Sequence, residues 1–143
     1  MSEIISETKK YWENGKNCAR STSCGILDYF GLSGYTKVMD SAMIPFGGGV
    51  GERSICGSLL GALAGMCIVL KEKGMDEKVI YTKPKILKDE FKKKMGTLYC
   101  KAILDDFIDD KGVLDYENPE RRKRCNSTVE AAVLGVKKIV EEF

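Results

Sequence analysis

The chain of 143 residues contains no histidine, only three prolines, and no Cys-x-x-Cys pair among its six cysteines. Without histidine it cannot form a His-containing catalytic triad, a His-ligated zinc site or a histidine proton relay. Without Cys-x-x-Cys spacing it lacks the thioredoxin-like, rubredoxin-type and ferredoxin-like cysteine motifs. Any acid–base or metal chemistry must therefore use cysteine, carboxylate or lysine side chains.

A strong charge imbalance is also missing, because 23 basic and 21 acidic residues leave a formal net charge of +2. This composition gives no electrostatic reason to expect a nucleic-acid partner. The first ten residues lack the apolar core of a signal peptide, so we expect a cytoplasmic, reducing environment. In that environment, cysteines spaced far apart more often indicate metal binding or redox chemistry than structural disulfides.

Alternating runs of β-branched residues are nearly absent, and apolar residues recur at helical spacing along almost the whole chain. This pattern predicts an all-α fold, a compact bundle of about six or seven helices around a buried Gly-rich central helix. The length suits a single domain, residues 1–143, whose core needs no disulfide. The predicted helices cover approximately residues 4–13, 17–31, 35–44, 54–73, 84–95, 97–108 and 119–140.

The segment Ser54–Leu70 carries no charge over 17 residues. A membrane span needs about 20 predominantly apolar residues, so this shorter segment with two serines and three glycines predicts a buried helix instead. Its glycines, Gly57, Gly61 and Gly65, recur every four residues and form a smooth ridge along one side. Glycine costs about 1 kcal/mol per helix position relative to alanine, so the ridge predicts close packing or a nearby cofactor.

Three of the six cysteines, Cys18, Cys56 and Cys100, are predicted to lie in the first turn of a helix. The unpaired N–H groups and the macrodipole there stabilise negative charge. Such a position lowers the pKa of a thiol and also favours thiolates that ligate an iron–sulfur cluster. Cys125 is predicted about two turns into the last helix, after the basic run Arg121–Arg124, which could also favour a thiolate.

Cys24 and Cys67 are predicted to be structural. Eleven residues separate Cys67 from Cys56 on one helix, which places them about 16 Å apart and prevents a shared metal or disulfide. Cys24 lies roughly 120° around its helix from Cys18, so it points away from the apolar stripe that holds Cys18. The pattern leaves open that the other four cysteines are also core residues, because free cysteine behaves as a small hydrophobe.

The segment Gly47–Gly51 is the most flexible part of the sequence and directly precedes the uncharged helix. It matches neither the Walker loop nor G-x-G-x-x-G, and no predicted strand precedes it, so nucleotide binding is not expected. Instead we expect its backbone to approach a bound group, with Cys56 just behind it. The basic run Arg121–Arg124 is interpreted as a solvated helix end, because it is short and the chain is nearly neutral.

Five segments together resemble one family, and they cover most of the chain from Asn17 onward. They are Asn17-Cys18-Ala19, Phe46-Gly47-Gly48-Gly49-Val50-Gly51, Cys56-Gly57-Ser58-Leu59-Leu60-Gly61, Gly96-Thr97-Leu98-Tyr99-Cys100, and Cys125 with the Val/Ala helix that follows it. They resemble the C_GCAxxG_C_C family, whose members are of about this length and are described as redox-active. The one departure is Ser58, which stands where the family has alanine.

The resemblance places the four signature cysteines on Cys18, Cys56, Cys100 and Cys125, and it implies a redox function. Split-Soret cytochromes contain a related domain in which four cysteines are suggested to hold an iron–sulfur centre. By this resemblance, the four cysteines would ligate an iron–sulfur cluster for electron transfer, and nearby glycines would donate N–H groups to sulfur. Those cofactor-binding glycines would be Gly47, Gly48, Gly49, Gly51 and Gly57.

Two alternatives remain open from the sequence. The same four cysteines could be catalytic in a metal-free thiol–disulfide redox protein, with Cys56 as the attacking thiolate. Alternatively, the chain could be a non-catalytic helical interaction domain with buried structural cysteines. We expect an electron-transfer or membrane-transport partner, and a homodimer is a further option. Whether the protein is itself an enzyme or a component of an oxidoreductase is left undecided by the sequence.

Overall fold

The computed structural model describes residues 3–143, and this part of the chain contains eight α-helices and no β-strand. The predicted all-α fold is confirmed. The helix count exceeds the expected six or seven because a single turn, Glu77–Ile80, forms where the sequence pattern predicts none. The helices are α1 Glu3–Glu13, α2 Cys18–Tyr29, α3 Thr36–Ala42, α4 Gly57–Glu72, α5 Glu77–Ile80, α6 Lys83–Met95, α7 Cys100–Ile103 and α8 Pro119–Glu141.

Asparagine side chains begin two of the helices, as predicted. The Asn17 side chain accepts a hydrogen bond from the Arg20 N–H at 2.8 Å and caps α2. The Asn118 side chain accepts from the Glu120 N–H at 2.9 Å and caps α8, where Pro119 occupies the first helical position. Both caps satisfy N–H groups that have no partner inside the helix.

The helix predicted to start at Ser54 begins three residues later, at Gly57. Ile55 forms an isolated antiparallel bridge with Tyr99, and the Ser54 carbonyl accepts from the Cys100 N–H at 2.7 Å. This pairing holds residues 54–56 outside the helix. It also keeps Tyr99 extended, with φ −94° and ψ 129°, and so prevents a helix from starting at residue 97.

Two other predicted helices are shorter than expected. The helix predicted over residues 97–108 is reduced to the single turn α7, followed by a 3₁₀ turn at Asp105–Phe107. The helix predicted over residues 35–44 is reduced to α3, between 3₁₀ turns at Ser33–Tyr35 and Ile44–Phe46. The predicted apolar face of α3 does not form as a whole, because Val38 is 71% exposed.

The glycine face of α4 lies against α2. A Cβ at Gly61 would overlap the Ala19 carbonyl oxygen and the Thr22 hydroxyl, so the two helices approach too closely for a side chain there. The Thr22 hydroxyl donates to the Ser58 carbonyl across this contact at 2.9 Å. A Cβ at Gly65 would lie 3.2 Å from the nearest atom of α2, so the contact is looser toward the C-terminal end of α4.

The uncharged segment is packed inside the protein. Helix α4 contacts α2, α5, α6 and α8, and its Leu59, Met66 and Leu70 side chains are fully buried. Within residues 3–143, none of the helices combines the length and the apolar character that a membrane crossing requires.

Candidate functional site

Four of the six cysteines line one cavity of about 390 Å³. Cys18 is the first residue of α2, and Cys56 immediately precedes α4. Cys100 is the first residue of α7, and Cys125 lies about two turns into α8. Four separate segments therefore meet here. The rest of the wall consists of Trp12, Asn17, Ile44, Gly47, Gly48, Gly51, Arg53, Gly57, Ile103, Leu104, Leu114, Tyr116, Arg121 and Thr128.

A short backbone pairing holds two of these cysteines side by side. On either side of the bridge between Ile55 and its partner, the chains exchange N–H···O hydrogen bonds. The Cys56 N–H donates to the Leu98 carbonyl at 2.8 Å, and the Cys100 N–H donates to the Ser54 carbonyl at 2.7 Å. A single bridge leaves no alternating pattern in the sequence, so it could not be predicted from periodicity.

Two glycines make room for groups from the start of α2. A Cβ at Gly57 would overlap Cys18 Sγ and lie 2.7 Å from the Phe46 carbonyl oxygen. A Cβ at Gly47 would lie 2.8 Å from the Asn17 side-chain amide. The glycine that follows the cysteine at the start of α4 is therefore a steric requirement for bringing the Cys18 sulfur beside it.

The glycine loop has a left-handed backbone over four consecutive residues, with φ of 64°, 63°, 60° and 71° at Gly48, Gly49, Val50 and Gly51. Glycine adopts this conformation readily, whereas a β-branched residue such as Val50 is strained in it. The predicted cofactor-binding glycines that line the cavity are Gly47, Gly48, Gly51 and Gly57. Gly49 does not line it, and its carbonyl accepts from the Ser54 N–H and hydroxyl instead.

Burial raises the pKa of three of the four thiols, which is opposite to the lowered pKa predicted for helix starts. Cys56 is 5% exposed, and burial, together with the nearby Cys18, raises its pKa to about 12. The Ser58 N–H at the start of α4 lowers this pKa, but by less than burial raises it. Burial also raises the pKa of Cys100 and Cys125. Desolvation of the thiolate therefore outweighs the favourable helix start.

Cys18 is the cysteine that the other three share as a neighbour. Burial is the main cause of the raised pKa of Cys56, Cys100 and Cys125, and Cys18 raises each of the three further. Cys100 also raises the pKa of Cys125. The four thiols thus form one electrostatically connected group around the cavity.

Two arginines line the same cavity, each beside one cysteine. Arg121 donates from Nη1 to Cys125 Sγ at 3.7 Å. Arg53 lies close enough to Cys100 to lower its pKa against the rise that burial causes, and Arg121 does the same for Cys125. Among the residues that the structure describes, no aspartate or glutamate lines this cavity.

Arg122 and Lys123 are exposed, as expected for a solvated helix end, but Arg121 lines the cavity and has a buried Nε, and three of the four side chains lie over aromatic rings. Arg121, Arg122 and Arg124 lie 5.5, 4.8 and 4.9 Å from the ring centres of Tyr116, Trp12 and Phe107. Arg53 and Tyr116 were not predicted to line the cavity. For Arg121, the four-residue spacing from Cys125 was a usable sequence signal, because it places the two residues on one helix face.

The other two cysteines lie away from this cavity. Cys24 is buried, and its thiol donates to the Thr36 carbonyl at 3.6 Å. Burial, and then the nearby Asp40 and Asp28, raise its pKa to about 11. Cys67 is half-buried on α4 and lines a different pocket, and burial alone raises its pKa.

The geometry of the four thiols can be tested against the metal groups that cysteine binds. Within residues 3–143, no three cysteine, aspartate or glutamate side chains lie close enough to hold one metal ion. A zinc ion, with Zn–S distances of about 2.3 Å, needs sulfurs roughly 4 Å apart. An iron–sulfur cluster spreads its cysteines over several metal atoms and so accepts wider spacing. Four thiols with no carboxylate among the cavity residues suit a sulfur-ligated cluster.

Comparison with known proteins adds a family to this geometry. The family sequence model described as "Putative redox-active protein (C_GCAxxG_C_C)" matches residues 16–139, which is most of the chain. The matched range includes all four cavity cysteines. No curated protein and no solved structure matches the chain.

Proposed function

The chain belongs to the C_GCAxxG_C_C family of redox-active proteins, and from that membership we propose that its four cavity cysteines ligate one iron–sulfur cluster for electron transfer. The ligands are Cys18, Cys56, Cys100 and Cys125. The observation that carries this proposal is their presence on the wall of one cavity that has no carboxylate. A bound cluster would supply reversible one-electron chemistry.

The surroundings of the thiols support this proposal. Apolar side chains, including Leu104 and Leu114, limit the access of water, and Arg121 donates a hydrogen bond to a cysteine sulfur. The Thr128 hydroxyl lies near enough to Cys56 to lower its pKa against the effect of burial. Hydrogen bonds to sulfur and the surrounding charge set the reduction potential of a cluster. We propose that Gly47, Gly48 and Gly51 let the loop backbone approach the cluster.

The metal-free alternative is less well supported by the environment of Cys56. A thiol–disulfide mechanism needs an attacking thiolate, and thiolates form readily only where the pKa is lowered. Burial raises the pKa of Cys56 to about 12, so little thiolate is present near neutral pH. Metal binding does not need a low starting pKa, because the metal displaces the proton from the thiol.

Anaerobic purification followed by iron and sulfide analysis tests the proposal. We expect both elements in the protein as purified or after chemical reconstitution under reducing conditions. Trp12, the single tryptophan, lines the cavity, so its fluorescence should fall as the cluster assembles. A folded protein that binds neither iron nor sulfide would contradict the proposal. Loss of two or four free thiols on mild oxidation of that metal-free protein would then support the disulfide alternative.

The proposed function implies an electron-transfer partner. A membrane-transport partner, a homodimer, a single domain over residues 1–143 and a cytoplasmic location remain predictions from the sequence. A reducing compartment is consistent with six free thiols.

A further inference from the structure

Two positively charged side chains converge on Tyr116 at the rim of the cysteine cavity. The guanidinium carbons of Arg53 and Arg121 lie 5.8 and 5.5 Å from the centre of the Tyr116 ring. Arg53 Nη2 donates to the Tyr116 hydroxyl at 3.1 Å, and Arg121 Nη2 donates to the Tyr116 carbonyl at 3.1 Å. Tyr116 therefore fixes two like charges on one wall of the cavity.

Neither charge has a counter-ion in the described part of the chain. None of the ion pairs formed among residues 3–143 includes Arg53 or Arg121, and no carboxylate lines the cavity. By contrast, Arg20 meets Asp40 through two hydrogen bonds of 2.9 Å. Arg53 and Arg121 are only partly buried and both line the cavity, so their positive charge is available to an anion that enters it.

Arg121 also has a donor that nothing in the protein satisfies. Its Nη1 donates to Cys125 Sγ and its Nη2 to the Tyr116 carbonyl, but its Nε is buried with no hydrogen-bond partner. Buried donors normally have partners, so this Nε needs an acceptor, either water or a ligand atom. The guanidinium fork suits the oxygens of a carboxylate or phosphate, which accept two parallel hydrogen bonds.

We infer that Arg53 and Arg121 bind the anionic group of a small ligand, a carboxylate or another oxyanion, beside Cys100 and Cys125. A cavity of about 390 Å³ is at the lower end of the range for small-molecule sites, so the ligand is small. Leu104 and Leu114 provide an apolar surface for the rest of the ligand. The rim is accessible, because Tyr116 is 63% exposed. Binding does not depend on a cluster, so this inference stands apart from the proposed function.

Titration with inorganic phosphate at constant ionic strength tests the inference. Isothermal calorimetry on the metal-free protein should show saturable binding. Arg53→Gln and Arg121→Gln should each weaken it by about tenfold or more, because each removes charged hydrogen bonds. Arg122→Gln is the matched control, since Arg122 lies on the same helix and stacks on Trp12 but does not itself line this cavity. Circular dichroism verifies that each variant folds, and Arg121→Lys, which keeps the charge, should restore part of the affinity.

Two further binding measurements test this inference independently of the proposed cluster. Cys56→Ser should still bind phosphate even if it has lost its iron, because it retains both arginines. The cluster-loaded wild type should bind phosphate as well. Binding seen only without the cluster would assign the arginines to the cluster and overturn the inference. Absent or unsaturable binding in the wild type, or equal binding in Arg53→Gln, would overturn it whether or not a cluster assembles.

Discussion

Two regions of the molecule place an arginine beside a buried cysteine, and they differ in how that arginine is paired. Near Cys24, Arg20 forms a two-bonded ion pair with Asp40, and the thiol donates to a backbone carbonyl. In the cysteine cavity, two arginines lie among four thiols and no carboxylate. In the first region a carboxylate balances the arginine charge. In the second region, neither arginine has a carboxylate partner among the described residues.

This difference shows that burial alone does not identify a functional cysteine. Burial raises the pKa of Cys56 to about 12 and that of Cys24 to about 11, so both regions disfavour a free thiolate. The regions are distinguished by the number of thiols that face one space and by the unmatched charge around them. Both properties depend on which segments the fold brings together, and neither depends on the cysteine itself.

The largest expected effect is the loss of metal from a cavity variant. Cys56→Ser should lower the bound iron and sulfide of the reconstituted protein to a small fraction of wild type, because it removes one of four proposed ligands. Cys24→Ala and Cys67→Ala should retain wild-type iron, because both residues lie outside the cavity. Iron and sulfide analysis and Trp12 fluorescence report the result. Equal iron in Cys56→Ser and Cys24→Ala would remove the proposed distinction between the regions.

A smaller effect is expected along the glycine face of α4, which is tight near the cavity and looser toward Cys67. Gly61→Ala should lower the free energy of unfolding by about 2–3 kcal/mol, because its Cβ would overlap the backbone of α2. Gly65→Ala should stay within about 1 kcal/mol of wild type, since the gain in helix propensity offsets a milder contact. Urea unfolding of the metal-free proteins measures both. Equal losses would contradict this difference in packing.

A further expected effect is one that the two regions share. A thiol whose pKa is raised by folding stabilises the protein below its unfolded pKa of about 9, and this stability is lost as pH rises through the folded pKa. The free energy of unfolding of the metal-free protein should therefore fall as the pH rises above about 9. The contribution of Cys56 is lost by about pH 12 and that of Cys24 by about pH 11. Urea unfolding across this range should show a shallower decline in Cys56→Ser and in Cys24→Ser. An unchanged decline in both variants would contradict the burial effect.

Much of the helical framework could be predicted from the sequence, because the signals are local. The Asn17 and Asn118 caps and the apolar stripes each depend on residues within a few turns of one another. The boundaries near the site were less accurate. The bridge between Ile55 and Tyr99 joins segments more than forty residues apart, and it shortens both helices that the local pattern extends.

The sequence by itself determined the chemical inventory: no histidine, six cysteines, and a family in which four of them are signature residues. Helical periodicity alone also separates Cys24 and Cys67 from the other four cysteines. Only the tertiary structure placed the four thiols around one cavity, raised the pKa of three of them by burial, and added Arg53, Arg121 and Tyr116 to the wall. Desolvation and charge pairing depend on distances in space, and residues far apart in the chain set those distances.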